Sequence, residues 1–150
     1  MTPRLQFSKK DLKVQKLKEL PLFARCSQPE LLLVARSCDV VHVDAGRTLA
    51  LEGARADEVM VVLKGEAAVT RGGESLGTIA RGKVFGDLAA LRGGTHQATL
   101  TCVTPMELAV ISGYEFRRLY DHVPCLARAI VDGIVGIARA LPAQETGIRT

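Results

Sequence analysis

Between Cys38 and Ile111 the chain breaks into short aliphatic and β-branched runs, each closed by turn residues before it can form a sheet alone. Val40–Val43 ends at Asp44-Ala45-Gly46, Thr48–Leu51 ends at Glu52-Gly53, and Glu58–Leu63 turns at Lys64-Gly65 into Ala67–Thr70. Gly72-Gly73 is a hairpin signal that leads into Leu76–Ile79. Further on, polar Gln97, Thr99 and Thr101 alternate with Ala98, Leu100 and Cys102, which predicts a strand with one polar face. Glu107–Ile111 follows Pro105 as the last strand. Strands this short and this numerous bury their apolar faces only by packing together as a roll or sandwich. The predicted fold class is therefore mainly β with flanking helices.

Those helices carry their own signals. Ser8–Leu20 reads as a basic helix, with Lys9, Lys10, Lys13, Lys16 and Lys18 interleaved with Leu12, Leu17 and Leu20. The lysines are either a basic face for an anionic partner or the solvated face of an entry helix. Ser27 is an N-cap whose capping box is completed by Glu30, with Pro29 in the first turn and Leu31, Leu32, Val34 and Ala35 as the apolar stripe. At the other end the chain returns to helix, and Ser112 caps a turn through Tyr114, Phe116 and Leu119. Pro124 opens a longer C-terminal helix with a stripe of Leu126, Ile130, Ile134, Ile137 and Leu141.

Composition narrows the function classes. At 150 residues the chain is expected to form one domain, and with 4% aromatic residues and no Trp its core must be aliphatic. That argues against base-stacking platforms for single-stranded nucleic acid. His42, His96 and His122 are isolated, and Cys26, Cys38, Cys102 and Cys125 form no CxxC pair, so no metal site is predicted. A cupin-like metal enzyme would need a histidine cluster, and a serine hydrolase would need a G-x-S-x-G elbow. Neither pattern is present, and the chain is expected not to be an enzyme. No leader sequence and no apolar run of membrane-spanning length is visible, so the expected setting is cytoplasmic, with the four thiols reduced.

One segment interrupts the strands. Gly86 permits an abrupt turn after Phe85, and Asp87-Leu88-Ala89-Ala90-Leu91 then reads as a short helix. The first amides of such a helix, at Leu88 and Ala89, lack intrahelical partners and suit an anion. Asp87 would repel that anion and is expected to face a hydroxyl instead. A side chain near His96, returning from the far end of the loop, is placed to close over the same anion.

Phe85-Gly86-Asp87-Leu88-Ala89-Ala90-Leu91 followed by Thr95-His96-Gln97-Ala98-Thr99 resembles the phosphate-binding cassette of cyclic-nucleotide-binding domains, whose pattern runs F-G-E-L-A-L, a loop, then P-R-x-A-T or P-R-x-A-S. Gly53, Gly65 and Gly82 fall where that family keeps turn glycines, and the resemblance extends over roughly residues 20–141. It implies a double-stranded β-helix jelly roll, the cyclic-nucleotide-binding β-roll, with N-terminal helices and a C-terminal helix. The implied organisation is a basic helical segment at 1–19, the domain at 20–141 and a tail at 142–150.

The resemblance also implies roles. Gly86 and Asp87 would hold a ribose hydroxyl, Leu88 and Ala89 the cyclic phosphate, and His96 the phosphate charge, with Gln97, Ala98 and Thr99 completing the binding set. The implied ligand is cAMP or cGMP, with no metal. The C-terminal helix would cover the base and signal onward to an effector, or form a homodimer. Three positions depart from the pattern: Asp87 stands for glutamate, Thr95 for proline and His96 for arginine. Arginine carries a permanent charge and a planar fork of donors, whereas free histidine has a pKa near 6.5. Arg92 offers a substitute cation from within the loop. Two readings stay open: a cAMP or cGMP sensor that moves its C-terminal helix, or a degenerate domain without nucleotide affinity that serves dimerisation or docking. Related transcription regulators carry a DNA-reading helix-turn-helix after the long helix, and no such motif follows Leu141 here.

Overall fold

The capping box at Ser27 forms as the sequence predicts: the Ser27 hydroxyl accepts from the Glu30 amide at 3.3 Å, and the Glu30 carboxylate accepts from the Ser27 amide at 2.8 Å. It starts helix α2 (Gln28–Ser37), which follows helix α1 (Lys9–Lys18) and a 3-10 turn at Pro21–Phe23. The computed structural model describes residues 9–86 and 94–126. Residues 87–93 and 127–150, which include Asp87, Leu88, Ala89, Arg92 and most of the apolar stripe of the C-terminal helix, lie outside the described residues.

Eight strands follow α2: β1 (Cys38–Val43), β2 (Thr48–Ala50), β3 (Glu58–Lys64), β4 (Glu66–Arg71), β5 (Glu74–Ala80), β6 (Val84–Phe85), β7 (Thr99–Cys102) and β8 (Met106–Ser112). They form two antiparallel four-stranded sheets ordered β1-β8-β3-β6 and β2-β7-β4-β5, so the chain repeatedly crosses from one sheet to the other. This is the predicted β-roll with flanking helices. The strand predicted from Gln97 begins two residues later, because pairing with β4 starts at Thr70 and Thr99. Helix α3 (Gly113–His122) closes the roll, and its Ser112 hydroxyl accepts from the Glu115 amide at 3.1 Å.

Strand β3 explains how one roll holds two cores. Its five central residues are all buried, and successive side chains point to opposite faces. Val59, Val61 and Leu63 join an outer cluster under the helices with Phe23, Leu31 and Phe116, while Met60 and Val62 join an inner cluster between the sheets. On β8 the same alternation sends Ala109 and Ile111 outward and Met106 and Leu108 inward. Gly65, at φ +93°, makes the β3–β4 turn; a Cβ there would lie 2.5 Å from the Pro105 carbonyl oxygen, so only glycine fits.

Among the described N-terminal lysines, Lys13 and Lys16 engage the body of the fold. Lys13 Nζ donates to the Cys38 carbonyl at 2.7 Å and to that of Ala35 at 3.4 Å, satisfying the end of α2. Lys16 meets the buried Glu107 carboxylate at 3.1 Å, and His42, opposite Glu107 across β1 and β8, approaches it at 2.9 Å.

One expectation is corrected. The four cysteines were expected as reduced thiols, yet Cys26 and Cys125 are joined by a disulfide with Cα atoms 5.2 Å apart, while Cys38 and Cys102 stay free and buried. The pairing has no local signature because 99 positions of sequence separate its partners, and only the return of the chain after α3 brings them together.

Candidate functional site

Strand β6 is two residues long and pairs with β3 through Met60–Phe85 and Val61–Val84. The chain then turns at Gly86 with φ +91°, where a Cβ would lie 2.6 Å from the Glu58 carbonyl oxygen and 3.4 Å from His96 Cε1. Both the left-handed backbone and the close pass over β3 demand glycine. The turn is thus held by main-chain geometry, and its nearest side chain is His96.

His96 reaches this place by a second short ladder. Residues 53–56 run antiparallel to residues 94–96, with the Gly53 amide donating to the His96 carbonyl at 2.9 Å, the His96 amide to Ala54 at 2.9 Å and the Ala56 amide to Gly94 at 3.1 Å. Thr95 bridges to Arg55 within this ladder. Alternation along a strand sends neighbouring side chains to opposite faces, so exposed Thr95 is followed by buried His96, which is 8% exposed. The imidazole stacks on Phe85, with ring centroids 5.5 Å apart and planes 24° from parallel. Among the described residues, no hydrogen-bond partner meets its ring nitrogens. Burial pushes the His96 pKa below its ordinary value, against the upward pull of the Asp57 carboxylate, which favours the uncharged ring.

Gly86 and His96 are therefore brought together. Asp87, Leu88 and Ala89 lie outside the described residues. Ala98 is buried in the inner cluster beneath the site. Gln97 is exposed; its carbonyl accepts from Arg71 Nε at 2.8 Å and its side-chain oxygen lies 3.4 Å from Arg71 Nη2. Thr99 Oγ1 accepts from the Glu52 amide at 2.9 Å, and Glu52 Oε1 accepts from the Gly72 amide at 2.9 Å. Gln97 and Thr99 thus tie the segment before β7 to the β2–β3 loop and the β4–β5 turn.

Arg71, Glu52 and Asp57 were not among the predicted site residues. Nothing near Arg71 in the sequence points to Gln97, 26 positions away. Glu52 was visible only as part of a turn. Among the described residues no group of three His, Cys, Asp or Glu side chains is arranged to hold a metal ion, and no helix is long and apolar enough to cross a membrane.

Comparison with known proteins bears on this arrangement. Residues 40–123, more than half of the chain, match the model of the cyclic nucleotide-binding domain. A cAMP-dependent protein kinase regulatory subunit of Yarrowia lipolytica is 33% identical over 109 residues, covering 71% of this chain and 29% of the relative. The chain therefore spans less than a third of the length of that curated relative. Among solved structures, "Sp-2Cl-cAMPS bound to PKAR CBD2" superposes with a TM-score of 0.75 at 19% identity, covering 95% of this chain and 94% of that one. The regulatory subunit of a cAMP-independent protein kinase A from Trypanosoma brucei superposes with a TM-score of 0.77 at 14% identity, covering 94% and 52%. At those identities the structural likeness speaks for the fold alone. With the family match over the roll and the Gly86 turn in place, the chain belongs to the cyclic nucleotide-binding domain family.

Proposed function

We propose that this chain is a regulatory module that binds cAMP or cGMP at the Gly86 turn and passes the bound state to the segment after α3. One observation carries the reading: a buried imidazole, unpartnered among the described residues, lies beside a left-handed glycine turn. A buried polar group without a partner is costly, and an anion with hydroxyls offset by that ring supplies the partner. The proposed binding set is Gly86, Asp87, Leu88, Ala89 and His96, with Gln97, Ala98 and Thr99 shaping the wall below. The functional unit is proposed to be residues 20–141, acting on an effector protein or a second copy and not as a catalyst.

Histidine in place of arginine makes this site pH-dependent. The neutral ring offers no charge to the cyclic phosphate, whereas the imidazolium does. Ligand binding at pH 7 is then coupled to proton uptake at His96, and affinity rises as pH falls. Calorimetric titration with cAMP and with cGMP at pH 6 and pH 8 tests this. Saturable binding that tightens at pH 6 supports it; absence of heat at millimolar ligand at both pH values removes it.

A second reading has an observation in its favour. The His96 ring is stacked on Phe85, and burial favours its uncharged form, so the phosphate charge meets no permanent cation there. On that reading the roll is degenerate, binds no nucleotide and serves for dimerisation or docking. A dimer that persists without nucleotide and dissociates in Ile130→Asp or Ile137→Asp would favour it.

A further inference from the structure

We propose that Cys26 and Cys125 form a reversible thiol–disulfide exchange site that latches the segment leaving α3 onto the N-terminal helical layer. Its substrates are a dithiol in one direction and a small-molecule disulfide in the other. Cys26 lies in the turn between Phe23 and the Ser27 cap, and its amide donates to the Phe23 carbonyl at 3.0 Å. Cys125 lies three residues beyond the end of α3, between Val123 and Leu126, at the exit from the roll. The bond therefore joins the entry of the domain to its exit across 99 positions, and it crosses neither sheet.

The four cysteines divide by what they can do. Cys38 and Cys102 are buried, and burial pushes the Cys38 thiol up to about 11 and the Cys102 thiol up as well. Thiols held protonated inside a core are poor nucleophiles. Cys26 is half-buried in the turn before α2, whereas Cys125 is buried, so Cys26 is the more accessible partner of the pair. Attack therefore falls on Cys26.

The exchange balances with named reactants. A dithiol thiolate attacks Cys26 Sγ, the protein S–S bond breaks, and Cys125 leaves as a thiolate that takes up a proton. The second thiol of the reductant then displaces Cys26 from the mixed disulfide. The reductant departs as a cyclic disulfide, and two electrons have passed to the protein. In reverse, the Cys26 thiolate attacks glutathione disulfide and releases one glutathione thiolate. Cys125 then resolves the mixed disulfide and releases the second.

Reduction leaves a folded domain with a loosened exit. Val123 and Leu126 stay buried in the outer cluster on either side of the pair, so apolar packing still anchors the segment weakly once the covalent tie is gone. The latch thus sets how readily residues 123–126 lift from the helical layer, and neither Gly86 nor His96 takes part in it.

The test is hydrogen–deuterium exchange on the full chain, oxidised with glutathione disulfide or reduced with dithiothreitol, with free thiols counted in both states. Two free thiols in the oxidised chain and four in the reduced one are expected. Amide exchange in residues 119–126 should rise at least tenfold on reduction, while β3, β4 and β8 stay protected. Reoxidation should restore protection. Cys26→Ser should behave as the reduced protein and ignore dithiothreitol, whereas Cys38→Ser should respond as the wild type does. Should Cys26→Ser fail to fold, the paired Cys26→Ala, Cys125→Val variant and the wild-type thiol count replace it. Four free thiols under glutathione disulfide, or equal exchange of residues 119–126 in both states, overturns the proposal. Neither readout needs nucleotide, so the latch stands or falls separately from the reading of the pocket.

Discussion

The outer and inner cores share the β3–β8 wall but are filled differently. Outside lie Phe23, Phe116, Leu17, Leu20, Leu31 and Leu126, whereas the inner cluster has no buried aromatic residue and combines Ala50, Ala67, Ala98, Cys102, Val62 and Val69 with Met60, Met106, Ile79, Leu100 and Leu108. Buried apolar area sets the hydrophobic contribution, so the helical side, which holds the fully buried Phe23 and Phe116, is expected to contribute the larger share. The Gly86 turn and His96 sit at the margin of the inner cluster, where Phe85 packs against it. Two faces of one strand thus serve two ends: the outer face holds the domain together, and the inner face positions a site without having to be its most stable region.

The comparison breaks if the outer face is not the stability core. Phe116, fully buried, should lose about 3–5 kcal/mol on Phe116→Ala, read as a lower denaturation midpoint in urea. An equal loss from Val62→Ala would contradict the division. Next in size is the disulfide, which closes a loop of 99 positions within the outer layer. Its reduction should cost about 2–4 kcal/mol in the same denaturation experiment, chiefly by freeing the unfolded chain.

Smaller effects sharpen the inner side. His96→Arg supplies a permanent charge, and a hydrogen bond to a charged group contributes about 1.5–3 kcal/mol, so cAMP should bind roughly ten to a hundred times more tightly. The same variant should lose the pH dependence between pH 6 and pH 8; unchanged affinity would separate His96 from the ligand. In the free protein, burial lowers the His96 pKa, so the unfolded chain takes the proton first as pH falls below about 6.5. Stability without ligand should therefore decline below that pH, and thermal melts of wild type beside His96→Gln would show it. Gly86→Ala should cost about 1–2 kcal/mol for the left-handed backbone alone. It should also lower ligand affinity, because its Cβ would press on the Glu58 carbonyl and displace the turn.

The smallest effect returns to the outer face. Burial alone would raise the pKa of Glu107, but hydrogen bonds and charge from Lys16 and His42 outweigh it and hold the carboxyl below its usual range. A lowered carboxyl pKa contributes stability above the ordinary carboxylate value, and that contribution is lost as pH falls through the folded value. Glu107→Gln should therefore cost about 1 kcal/mol near pH 7, because Lys16 and His42 are themselves partly solvated, and the difference from wild type should shrink in acid.

Much of this was legible in the amino-acid order, because it is written in neighbours. The Ser27–Glu30 box, the polar–apolar alternation from Gln97 to Cys102 and the turn signals at Gly65 and Gly86 are patterns of near neighbours, so they appear wherever the chain is read, although the close contacts of those glycines with Pro105 and Glu58 do not. Gly86 beside His96 was legible for the same reason, since ten positions separate them within one motif. Tertiary structure alone decided that Cys26 meets Cys125, that Arg71 grips Gln97, and that Glu107 is buried between Lys16 and His42. It also decided that His96 is buried, which lowers its pKa, although the letter itself would allow a charged surface residue. Local geometry repeats with a fixed period and leaves a pattern in the sequence. Contacts between distant segments, and the desolvation they impose, depend on where the whole chain returns, and no short pattern records that.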